Sequence, residues 1–101
     1  MKIELKEVEL NIEGKPMQFS YKKALIMTLR NTRDPNSKIM GFTFDEVKKR
    51  QPIIEKLEKA NKEIELTKEE HELIKKLVNS EKWKIIDQKI IDYVNYINEV
   101  K

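Results

Sequence analysis

Cysteine is absent from the 101 residues. That excludes disulfides, thiolate metal sites and a cysteine nucleophile. Glycine occurs only twice, so no phosphate-cradling glycine loop of the usual kinds is available. Histidine occurs once, at His71. A metal site needs several ligands at set spacing, and only glutamates lie near it in sequence, so it reads as an ordinary helix-face histidine. An excess of one charge is missing too: 21 basic residues stand against 18 acidic ones, for a net charge of +3. Nucleic-acid binding is thereby allowed but not implied. No apolar run approaches the roughly 18 residues that span a bilayer. The N-terminal MKIELKEVEL is charged throughout, unlike a signal peptide. Acid–base or nucleophilic catalysis would have to rest on carboxylates and lysines. The carboxylates fall almost entirely on solvated helix faces, so no enzyme, cofactor or metal is expected.

What is present is charge and helical grammar. Charged residues and hydrophobic residues each make up 39% of the chain. The expectation is one domain with a thin core under a charged surface. Between Glu63 and Val78 the grammar is clearest. Thr67 stands as an N-cap with Glu70 three residues on, which is a capping box. Glu69 and Glu70 suit the positive end of a helix dipole, Lys75 and Lys76 the other end. Leu73, Ile74, Leu77 and Val78 make one apolar face. A helix is predicted from about Lys68 to Asn79, entered by a brief extended stretch through Ile64 and Leu66.

Residues 2–19 read as a β-hairpin. Val8, Leu10 and Ile12 alternate with polar neighbours, as do Met17 and Phe19, around Glu13-Gly14-Lys15-Pro16. Ile3 and Leu5 are out of phase with Val8 and Leu10, which predicts a bulge or bend near Lys6. The remainder, 20–101, reads as helical. Ser20 caps a helix from Tyr21 to about Asn31, with Ala24, Leu25, Thr28 and Leu29 inward and Ile26 and Met27 widening the stripe. Residues 31–42 carry no period, and Asp34-Pro35-Asn36-Ser37 suits a type I turn. Connections that long are functional or disordered in many proteins.

Thr43 and Glu46 form a second capping box, with Phe42 and Val47 as a hydrophobic staple. Asp45–Lys49, Glu46–Arg50, Glu55–Lys59 and Glu58–Lys62 stand as acid-then-base pairs at i,i+4. Pro52 predicts either a kink or two short helices meeting at Gln51. Ser80 then caps a last helix whose seam is Trp83, Ile86, Ile90, Tyr93, Ile97 and Val100. Packing on the preceding helix is the reading of that seam, with a homodimer seam or a strand as alternatives. The fold class is α+β, an N-terminal hairpin on a bundle of about four helices.

The chain resembles small accessory proteins of unknown function encoded by phages and prophages. The resemblance is carried by the turn Ile12-Glu13-Gly14-Lys15-Pro16 and by the helix start Lys23-Ala24-Leu25-Ile26 running on to Leu29. It continues through a charged helix to Leu66, Thr67, Glu70 and Ile74. The resemblance implies a phage or prophage setting, hence the cytoplasm of a bacterial host, and a non-enzymatic protein that binds a host or phage protein. Inhibition of a host function is one form such binding takes. The candidate contact residues are Lys22, Lys23, Arg30, Arg33 and Lys38, around the first helix and the loop after it. The alternative is a nucleic-acid or nucleotide binder using the same basic face; interleaved stacking aromatics, which would favour it, are missing there. Membrane association is not expected.

Overall fold

The β-hairpin forms because its turn can form. Glu13 and Gly14 both have positive φ, 51° and 78°, which is the two-residue turn whose twist matches the strands it joins. Strand β2 (Glu7–Ile12) therefore pairs antiparallel with β3 (Lys15–Ser20), Ile12 opposite Lys15 and Leu10 opposite Met17. Pro16 lies opposite Asn11, one step from the turn-closing pair. Its nitrogen points away from β2, so no ladder bond is lost.

The computed structural model describes residues 1–30, 42–81, 83 and 86–100. They form four strands and four helices, an α+β arrangement with a hairpin at the N-terminus. The phase break near Lys6 has a larger consequence than a bulge. Strand β1 (Lys2–Glu4) leaves the hairpin and pairs antiparallel with β4 (Glu63–Glu65). Ile3 faces Ile64 across that pair, and both are buried. Leu5 N–H donates to the Lys62 carbonyl at 2.8 Å and Leu66 N–H to the Met1 carbonyl at 2.8 Å, which extends the ladder. The hairpin thus spans 7–20 and not 2–19. A three-residue strand has too little pattern of its own to name a partner sixty residues away.

Helix α1 (Tyr21–Arg30) starts where β3 stops, with the Ser20 hydroxyl accepting from Lys23 N–H at 3.3 Å. It buries Tyr21, Leu25, Thr28 and Leu29. Met27, expected to widen the inner stripe, is 68% exposed. Helix α2 (Phe44–Lys59) runs through Pro52 as one helix, so the split at Gln51 does not occur. Its cap is half of the expected box. Thr43 accepts from Glu46 N–H, but the Glu46 carboxylate pairs with Arg50 at 3.4 Å. The staple also differs: Phe42 lies under the Arg50 guanidinium and Val47 is 46% exposed. Of the four expected i,i+4 pairs, Asp45–Lys49 and Glu46–Arg50 form, while Glu58 turns to Arg30.

Helix α3 (Lys68–Ser80) has the full capping box, Thr67 accepting from Glu70 N–H and Glu70 from Thr67 N–H. Ser80 does not cap the next helix. Its hydroxyl donates back to the carbonyls of Lys76 and Leu77, a local bond that Ser favours at a helix end. Helix α4 (Gln88–Glu99) begins later, capped by Asp87, whose carboxylate accepts from Lys89 N–H at 2.8 Å. Trp83 and Ile86 therefore stand before the helix, and Ile86 is fully exposed. The rest of the seam holds, with Ile90, Tyr93 and Ile97 buried inside the chain.

One core cluster takes Ile3 from β1, Leu25 and Leu29 from α1, and Ile53, Ile54 and Leu57 from α2. Ile64, Ile74, Val78, Tyr93 and Ile97 complete its centre. Each such aliphatic side chain contributes about 1.5–3 kcal/mol relative to exposure. An aromatic group sits over it: the rings of Phe19, Tyr21 and Trp83 all meet Tyr93 edge-on within 4.8–5.9 Å. Edge-to-face pairs of this kind are favourable beyond their buried area.

Candidate interaction surface

Helix α1 is the element on which the sequence places three of its five contact candidates. Its buried positions, Tyr21, Leu25, Thr28 and Leu29, define the inner face. Lys23, Met27 and Arg30 fall at i, i+4 and i+7, and all three are exposed. They make an outward stripe of two cations flanking a thioether.

The basic residues do not act alike. Lys22 reaches across to the end of α2, where Nζ donates to the Ala60 carbonyl at 2.8 Å and the Glu58 carbonyl at 3.3 Å. Those are acceptors that a helix C-terminus leaves unpaired, and a cation suits them electrostatically. Arg30 pairs with the Glu58 carboxylate at 2.6 Å. Lys22 and Arg30 thus both tie α1 to the C-terminal end of α2. Lys23 has no ion pair among the described residues. Arg33 and Lys38, with the expected turn at 34–37, lie outside the described residues. The structure therefore brings Lys22 and Arg30 together on Glu58 and leaves Lys23 outside that pair.

Two residues matter more than the sequence indicates. Arg50 is the first. Its side chain is only 12% exposed, one nitrogen donates to the Leu29 carbonyl at 3.1 Å, and its guanidinium lies 4.3 Å from the Phe42 ring centre. Burial pushes its pKa below the ordinary value, and neighbouring Glu46 opposes that shift. In sequence it reads only as the basic half of the Glu46–Arg50 pair.

His71 is the second. It is 1% exposed, on the buried face of α3, and Nε2 lies 2.8 Å from the Ile97 carbonyl. A carbonyl can only accept, so Nε2 carries the hydrogen. Nδ1 has no partner among the described residues. Its role is to tie α3 to the last turn of α4, beside a reciprocal amide pair between Asn79 and Asn98 at 2.8 and 2.9 Å. The signal was present: His71 falls three residues before Ile74 and seven before Val78, on their face.

No group of three His, Asp or Glu residues among the described residues is placed to hold a metal. A depression along the hairpin, lined by Glu7, Glu9, Met17 and Gln18, is open, and the Glu7 carboxylate accepts from the Gln18 amide. Among the described residues, no helix is long and apolar enough to cross a membrane. A scan against protein-family models finds no match to the chain, and searches of curated proteins and of solved structures find none either.

Proposed function

We propose that this is a non-enzymatic accessory protein of phage or prophage origin that binds a host or phage protein through the outer face of α1. The observation that carries the binding surface is the stripe Lys23–Met27–Arg30. A large apolar side chain that is 68% exposed sits there between two cations. Exposed apolar groups rimmed by polar ones are what protein contacts use. The phage setting rests on the sequence resemblance alone. The nucleic-acid alternative is weakened, because Lys22 of that basic face already serves the Ala60 carbonyl.

The test is affinity capture from bacterial lysate with the wild type and with Met27→Glu. Met27 is exposed, so the variant keeps its stability within about 0.5 kcal/mol. The reading expects a protein retained by the wild type and lost by Met27→Glu. A captured set unchanged by Met27→Glu and by Lys23→Glu would remove α1 as the contact face.

A further inference from the structure

Helix α2 is held unevenly along its length. Its buried residues are Ile53, Ile54 and Leu57, and none falls between 44 and 51. The second half is tied to the body by Lys22 at Glu58 and Ala60, by Arg30 at Glu58, and by Lys56 on the Glu70 carboxylate at 2.7 Å. In the first half, Phe44 is 75% exposed, and the pairs Asp45–Lys49 and Lys48 over Phe44 stay within the helix. Among the described residues, one side chain of this half bonds across to another element: Arg50, on the Leu29 carbonyl of α1. The same guanidinium holds Glu46 and covers Phe42. Between the two halves stands Pro52, which has no N–H to offer the Lys48 carbonyl.

We propose that residues 44–51 form a hinged arm that opens without the core unfolding, with Pro52 as the hinge and Arg50 as the latch. The warrant is general. Segments with few buried apolar contacts and solvent-facing backbone bonds open at lower free energy than the core. The missing bond at Pro52 removes the helical continuity that would carry protection from the packed half into the arm. The latch suits Arg and not Lys, because a planar fork can stack on a ring while it donates to a carbonyl and a carboxylate.

Native-state hydrogen exchange, residue by residue, tests this. In the wild type, amides of Lys48–Gln51 should exchange roughly tenfold or more faster than those of Leu57 and Glu58. Arg50→Met should speed the arm amides by about a further tenfold and leave Ile74 and Val78 of α3 within about threefold. Phe42→Leu removes only the stack, is the milder variant should Arg50→Met not fold, and should speed the same amides less. Pro52→Ala should slow them. Equal protection along α2 in the wild type would overturn the proposal. So would an Arg50→Met effect as large in α3 as in the arm, or arm amides indifferent to Pro52→Ala.

Discussion

Glu70 does two jobs with one side chain. It closes the cap by accepting from Thr67 N–H at 2.9 Å, and it takes the Lys56 ammonium at 2.7 Å. Desolvation alone would raise its pKa; the Lys56 and Thr67 interactions outweigh that and hold it below the ordinary 4.5. A carboxyl whose pKa is lower folded than unfolded adds stability above its unfolded value and loses it as pH falls through the folded one. Urea midpoints measured downward from neutral pH should therefore drop below about pH 4.5, and Glu70→Gln should flatten part of that drop. Thr67→Ala should cost about 1 kcal/mol, the usual loss for a capping threonine. Thr43→Ala should cost no more than that, because Glu46 serves Arg50 and not the box. An unchanged midpoint in both variants would mean the caps contribute nothing. Thr67 and Glu70 were legible in the sequence because a cap is a local signal. The burial of His71 could have been read from its spacing to Ile74 and Val78, but its acceptor, Ile97, lies 26 residues away and leaves no local trace.

Elements were legible in proportion to how local their cause is. The hairpin turn, the α1 and α3 starts and the inner face of α4 follow from turn chemistry and period. The β1–β4 pair does not, because three residues can meet any partner the fold brings. Helix α4 starts later than Ser80 predicts, because Ser80 is occupied with its own helix and the Asp87 carboxylate caps instead. On α1 the candidate surface was half legible: charge could be read, but not which charges are used internally. Lys22 bonds the end of α2 and Lys23 does not, though they are adjacent. Lys22→Met should thus lower stability by about 0.5–1.5 kcal/mol, the usual net worth of such a hydrogen bond. Lys23→Met should stay within about 0.5 kcal/mol. Thermal or urea unfolding of the pair checks this, and equal effects would mean that α1 does not pin α2 in this way.

At the scale of the whole molecule, charge is plentiful but nearly balanced, and part of it is paired. Cations are committed to Glu4, Asp45, Glu46, Glu58, Glu63, Glu70 and Glu72. The exposed aromatic Phe44 already carries Lys48, and Phe42 lies beneath Arg50. A nonspecific nucleic-acid binder needs a continuous run of free cations and stacking rings open to bases, and these two rings are already covered by cations. On the proposed reading, the basic side of α1 serves protein contact and internal packing. A titration of random DNA and RNA at roughly 50 and 200 mM salt tests it. Binding weaker than the roughly 10⁻⁴–10⁻⁶ M of nonspecific binders at physiological salt is expected. Micromolar binding that falls steeply with salt, and is lost on neutralising Arg30, Arg33 and Lys38, would contradict it.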